Sequence, residues 1–309
     1  MPSVSQHYGL TGPLEFLDVD VVDDNRLYVD PHAVRLERGP SPFAAQATKC
    51  LTTFFDEIVE CVISPKRAET ERGRGLLSRF HEPRETRLGM SQEGVNGHGG
   101  ADDVGGAIWK ALSTNAKALI SVGVLKWVED IPIFVYGVDK DITSDLTTRI
   151  IFEPLAKFTQ AMMRKYPQFT QGSHYAKTFS RQIWSPSQKR WVFKKVELPV
   201  AEDIPLILVP KRWARPGLLM SGGRYYKTSM LSYVQELRGV IDPETGELVT
   251  EPKWRLEERK EFEQGLKTIM RVTREAHVER EDLLARFREF VDRRYEPLDD
   301  DEIDKRLRR

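Results

Sequence analysis

Apolar and polar positions change period several times along this chain, and each change marks an element. Over residues 14 to 36 apolar positions alternate or run together, as LEFLDVDVV from Leu14 to Val22 and RLYVD from Arg26 to Asp30. The turn-forming Asp23, Asp24 and Asn25 lie between them, so the pattern predicts a β-hairpin. Pro31 ends its second strand, because proline donates no ladder hydrogen bond. After Ser41 and Pro42, a cap and first-turn pair, the stripe Phe43, Ala47, Cys50, Phe54, Ile58 and Cys61 or Val62 steps by three and four. That spacing predicts one face of a core helix closed by Pro65. A shorter helix is expected around Leu76 to Phe80, and another from Val104 to about Val124.

The run Ile131 to Tyr136, IPIFVY, predicts a buried strand. It stops at Gly137, and three acids follow within nine residues: Asp139, Asp141 and Asp145. An amphipathic helix then continues to Tyr166, with Thr143 or Ser144 as its cap and a kink or break near Phe152 because of Pro154. Gln182 to Trp184 and Trp191 to Leu198 predict paired strands, and Pro205 to Pro210 a short apolar strand. From Tyr225 onward the pattern is helical, interrupted by a turn-centred hairpin or loop over Val240 to Val249. The stripes Leu266, Ile269, Met270 and Leu283, Leu284, Phe287, Phe290 carry the later helices, and the stretch from Asp299 to Arg309 is expected to fray. The expected fold is therefore α/β (α+β): a mixed-sheet core with flanking helices over residues 1–225, and a helical C-terminal region over 226–309.

Composition narrows the classes. Lys plus Arg and Asp plus Glu both number 47, so any nucleic-acid surface must be a local patch rather than a global charge. Cys50 and Cys61 sit about three helical turns apart, too far for a disulfide, and read as core thiols in a reducing compartment. No apolar leader or membrane-spanning run is evident, and a cytoplasmic, soluble protein is expected.

Candidate chemistry rests on two acidic groups. One is Glu82 and Glu85 with Asp102 and Asp103, across the glycine-rich segment Gly94 to Gly100; the other is Asp139, Asp141 and Asp145. Magnesium takes carboxylate oxygens and completes its shell with water and phosphate, so acids from neighbouring elements would suit a metal-dependent phosphodiesterase. Asp139 reads as turn chemistry. Asp141 and Asp145 are expected to hold magnesium with Glu82 or Glu85, most directly Glu85, while Lys211 would face a phosphate. The same acids also suit helix caps, turns and solvated surface. A restriction-nuclease pattern is available from Glu57 or Glu60, Asp141 or Asp145, Glu197, and Lys195 or Lys211, but its order is Lys-x-Glu. The glycine-rich segment matches neither GxGxxG after a strand nor a P-loop, and reads as a lid. His81 and His98 could join a site, yet no HExxH, CxxC or GxSxG spacing accompanies them. Trp184, Trp191, Trp213, Tyr225 and Tyr226 lie among Lys189, Lys194, Lys195, Lys211 and Arg212, which suits either nucleic-acid stacking or ordinary core aromatics.

Three phrases taken together, EPRETRLGMS (82–91), VDKDITSDLTT (138–148) and LPVAEDIPLILVPK (198–211), resemble a family of uncharacterised bacterial proteins. The likeness covers roughly residues 14 to 230. It implies an association with mobile elements and antiviral defence loci, and brings no catalytic residue list. Two functions are therefore expected as rivals. One is a magnesium-dependent nuclease or phosphodiesterase in prokaryotic defence. The other is a non-catalytic sensor or adaptor that binds a partner ATPase or nuclease of a defence complex through its helical end.

Overall fold

The computed structural model describes residues 2–78, 83–89 and 101–307, without the side chains of 101–103. The fold is mixed α+β, with helix predominating and the strands gathered into small antiparallel sheets.

The chain opens with α1 (Val4–Tyr8), capped by Ser3. The hairpin expected over 14–36 does not form: β1 is only Tyr28–Val29, and it pairs with β5 (Ala214–Arg215). Leu17 instead donates to the Val209 carbonyl, and Phe16 bridges Pro210. Part of the expected second strand survives as β1, with a distant partner, and the chain goes straight from it into α2 (Pro31–Leu36), because the Asp30 carboxylate accepts from the His32 and Ala33 amides. A good cap with proline at the first helical position starts the helix there.

Helix α3 (Phe43–Ile63) buries the predicted stripe and is the central beam, packed against α2, α4 (Arg67–Leu77) and later helices. The single helix expected over 104–124 is two, α5 (Ala101–Ser113) and α6 (Lys117–Ser121). The run Ile131 to Tyr136 is also not a strand. It follows a 3-10 turn, Val128–Asp130, as α7 (Ile131–Phe134), with Asp130 accepting from the Lys126 and Trp127 amides. A short apolar run can be buried by a strand or by a short helix, so the run alone could not decide.

The break near Phe152 is present: α8 (Lys140–Ile150) stops at Ile151 and α9 (Phe152–Lys165) begins. The long hairpin β2 (Ala176–Ser185) and β3 (Arg190–Ala201) pairs Trp184 with Trp191, and β4 (Ile204–Pro205) adds a short third strand. Residues 206–209 run extended outside the sheet. Their amides reach the Pro199 and Glu85 carbonyls and the Thr159 hydroxyl.

A continuous helical run, α10 (Gly222–Tyr225), a π turn over Tyr226–Met230 and α11 (Leu231–Arg238), crosses the expected boundary at 225/226. The hairpin β6 (Val240–Ile241) and β7 (Leu248–Val249) follows as expected. Then come α12 (Lys253–Glu257), α13 (Leu266–Val278) and α14 (Leu283–Arg293). The terminal stretch is helical as α15 (Asp300–Leu307), not frayed. One hydrophobic cluster joins residues from Val4 to Ile303, so the C-terminal helices share the core of the rest. No helix is long and apolar enough to cross a membrane among the described residues.

Candidate functional site: a charged face on helix α8

Helix α8 starts where Asp139, not Thr143 or Ser144, accepts the Asp141 and Ile142 amides. Thr143 and Ser144 are buried one turn further on. The Thr143 and Thr147 hydroxyls donate to carbonyls four residues back, and the Ser144 hydroxyl accepts from the Val29 amide. The Val29–Ser144 bond pins the inner side of α8 against β1. Asp141, Asp145 and Arg149 recur every four residues and therefore share another side.

The segment 83–89 lies beside that side. A 3-10 turn, Arg84–Thr86, ends at Arg87 with φ 56°, and Leu88 bridges Asn25. Gly89 has φ 132°, and a Cβ there would stand 3.0 Å from Asp141 Oδ1. The backbone angle favours glycine, and a side chain there would displace the Asp141 carboxylate. The segment is expected to join the α8 acids through Glu82 or Glu85; the approach given by the structure is that of Gly89, which has no side-chain ligand, to Asp141. Glu82, His81, His98 and Gly94 to Gly100 lie outside the described residues.

Glu85 receives a hydrogen bond from Arg181 Nε at 2.8 Å. Its charge also reaches Arg149, whose pKa burial lowers and Glu85 partly restores. Arg149 is 6 % exposed, yet among the described residues it has no ion pair. Its Nη2 meets only the Gln182 carbonyl, at 3.5 Å, and its Nε has no hydrogen-bond partner. Arg87, also buried, is satisfied differently: it donates to the Val21, Arg84 and Ala201 carbonyls. At the other end of the face, the buried Tyr28 hydroxyl also lacks a hydrogen-bond partner. Burial and the nearby Asp141 and Asp139 charges push the Tyr28 phenol upward, while Lys140 Nζ sits 4.4 Å over its ring.

The face thus runs from a phenol and two carboxylates at one end to an excess of guanidinium at the other. Its carboxylates could take a divalent cation, and Arg149 with Arg181 an oxyanion. Glu85 would have to share its Arg181 bond to serve as a ligand, and Glu85, Asp141 and Asp145 do not bring three ligand oxygens together within 4.8 Å. Lys211 is not part of this face by its contacts: its Nζ pairs with Asp300 at 2.8 Å.

The group that does bring ligand atoms within 4.8 Å, among the described residues, is Glu57, Cys61 and Glu69. It is an ion-paired cluster instead of an open metal seat. Arg72 and Lys189 both pair with the buried Glu57, and burial pushes the Cys61 thiol up to about 11. A protonated thiol is a poor ligand. The aromatics read as stacking candidates are core: Trp184, Trp213, Tyr225 and Tyr226 are at most 1 % exposed, and Trp191 is 9 % exposed.

Sequence reasoning missed a second polar cluster altogether. His32 Nε2 meets Asp292 at 2.8 Å and Nδ1 meets Glu129 at 3.5 Å, while Arg35 Nε meets Glu129 at 2.6 Å. Arg288 Nη2 meets both Asp130 oxygens at 2.7 Å. Trp127 lies between the two guanidiniums, 4.6 Å from Arg35 and 4.1 Å from Arg288. Burial works against the His32 charge, but the bonds to Asp292 and Glu129 outweigh it and raise His32 to about 9. Burial likewise opposes the Glu129 charge, and His32 and Arg35 bring it down to about 2. An imidazole with a carboxylate on each nitrogen keeps both protons near neutral pH and cannot serve as a base. The cluster is a clasp that ties residues 30–37 and 127–130 to α14. Its one sequence sign is Arg288 inside the apolar stripe of that helix.

Fold and site define a mixed α+β module with a charge-interleaved helical face. The chain belongs to the family described as a domain of unknown function (DUF8370), whose model matches residues 10–220. That span holds β1, α8, Glu85 and Arg181, and ends before α13 and α14. No curated protein and no solved structure matches the chain.

Proposed function

We propose that the α8 face binds a phosphodiester with a divalent cation, and that the protein is a magnesium-dependent nuclease or phosphodiesterase. The observation that carries this reading is Arg149, a buried cation with no ion pair among the described residues, whereas Arg288, whose Nε is likewise unbonded, is paired through Nη2 with Asp130. Buried charges are ordinarily paired, and a phosphate oxygen is the partner a guanidinium suits best. Asp141 and Asp145 would hold the magnesium, which needs only one or two carboxylates when substrate phosphate and water supply the rest. The ion would lower the pKa of a bound water and offset charge on the phosphate. Glu85 would position Arg181 and Arg149. The likeness of the three sequence phrases to bacterial proteins of defence loci supports antiviral defence as the setting.

The test is cleavage of end-labelled single- and double-stranded DNA and RNA with magnesium or chelator. The reading expects chelator-sensitive cleavage that Asp145→Ala reduces about 100-fold or more. Chelator-insensitive cleavage, or wild-type cleavage by Asp145→Ala, sinks it.

A second reading, a non-catalytic adaptor, is favoured by a different observation. Val240, Ile241, Leu248 and Val249 are all more than half exposed on the β6–β7 hairpin, and exposed apolar clusters mark interaction sites. Under it, aspartate at Ile241 and Val249 abolishes complex formation in cells, and alanine at Asp141 and Asp145 is silent.

A further inference from the structure

The β6–β7 ribbon pairs Val240 with Val249 and Ile241 with Leu248. Adjacent residues of a strand point to opposite faces, so both faces of this ribbon are apolar. Exposures of 69, 67, 51 and 57 % for Val240, Ile241, Leu248 and Val249 leave neither face covered by the chain itself. Its tip is acidic, with exposed Glu244 and Glu247 beside Asp242, whose carboxylate is occupied by the Glu244 and Thr245 amides.

Elsewhere on the same chain lies a groove of complementary character. It holds about 700 Å³ between α6 and the first turns of α13. Leu119, Leu266 and Met270 give it apolar lining, and Tyr136, 90 % exposed, stands at its edge. Lys260, Lys267 and Arg274 line it as well, against one acid, Glu263. Among the described residues none of these three cations has an ion pair, whereas Arg271 beside them is held by Glu275.

We propose that two copies of this chain associate reciprocally, the apolar ribbon and acidic tip of each seated in the basic groove of the other. Charge complementarity selects the occupant. The ribbon offers apolar residues ahead of carboxylates, and the groove offers apolar residues beneath cations. A twofold axis makes each contact occur twice, which is how self-complementary surfaces close without forming filaments. This association is independent of the α8 reading.

Sedimentation velocity on the full chain, across a dilution series at low and high salt, tests it. The wild type is expected to be a dimer that dissociates on dilution and more readily in high salt. Ile241→Asp with Val249→Asp should be monomeric, and so should Lys267→Glu with Arg274→Glu, each with the wild-type circular dichroism spectrum. Mixing the two variants should restore a heterodimer, since one ribbon–groove contact stays intact. Adding Glu244→Lys and Glu247→Lys to the groove variant should restore its self-association. A wild type that is monomeric throughout, or a dimer that survives the groove substitutions, overturns the proposal. The groove positions are exposed helix or loop sites, so that variant decides the matter even where the ribbon variant fails to fold.

Discussion

Two buried guanidiniums in this molecule have opposite surroundings. Arg288 meets both oxygens of Asp130 and lies over Trp127, within a cluster where His32, Arg35, Glu129 and Asp292 also pair. Arg149 is as deeply buried, yet meets one distant carbonyl and the Phe152 ring at 5.6 Å, and no carboxylate within ion-pair reach among the described residues. Burying a charge costs several kcal/mol unless a partner offsets it. The clasp provides the partner from the chain, and so acts for the fold. The α8 face leaves the place open, which is the arrangement expected where a ligand supplies it. Under the proposed function, the same side chain at the same depth serves stability in one region and recognition in the other.

The comparison is sharpest in stability. Arg288→Met strands the Asp130 carboxylate and is expected to cost about 3–5 kcal/mol in urea unfolding, the usual penalty for halving a buried pair. A cost under about 1 kcal/mol would mean that the clasp contributes little.

The pH dependence of the clasp is next in size. His32 has its pKa raised from 6.5 to about 9 by folding. Its contribution is therefore complete below pH 6.5, declines as pH rises, and is gone above about pH 9. The loss amounts to at most about 3 kcal/mol. Melting temperatures of the wild type should fall across that window, and those of His32→Gln should fall less. Parallel curves for the two proteins would remove His32 from the account.

Arg149→Met should do the reverse of Arg288→Met. Replacing an unpaired buried cation with an apolar side chain of similar length is expected to raise stability by about 1–2 kcal/mol, at the expense of ligand binding. Destabilisation comparable to that of Arg288→Met would show that Arg149 is a structural residue after all.

The smallest effect is at Gly89. Its φ of 132° and the nearness of Asp141 mean that Gly89→Ala should cost about 1 kcal/mol and weaken magnesium binding severalfold. Wild-type metal affinity in that variant would separate Gly89 from the α8 acids.

Legibility followed the range of the interactions. The stripe of α3, the break between α8 and α9 and the hairpins at 176–201 and 240–249 are set by spacing and turn chemistry within each segment, and the sequence displays them. Residues 14–36 and 131–136 misled because their apolar runs fit strand and helix equally. In the first, Tyr28 and Val29 pair with the distant Ala214 and Arg215, a partner no local pattern shows; in the second, the chain enters α7 from the 3-10 turn in which Asp130 accepts the Lys126 and Trp127 amides. Asp139 as a turn residue was readable; Glu82 or Glu85 was expected beside the α8 acids, but neither the approach of Gly89 to Asp141 nor the Glu85–Arg181 pair was. The clasp could not be read at all, because its members come from residues 30–35, 127–130 and 288–292 and meet only in three dimensions.

The central claim is that the α8 face is a ligand site while the clasp is not. Isothermal titration of a short oligonucleotide into the full-length protein, with and without magnesium, tests it most directly. Binding that needs magnesium, is lost in Asp145→Ala and Arg149→Met, and persists in His32→Gln is the result predicted. Binding that is indifferent to both α8 substitutions, or no binding with magnesium present, would contradict it.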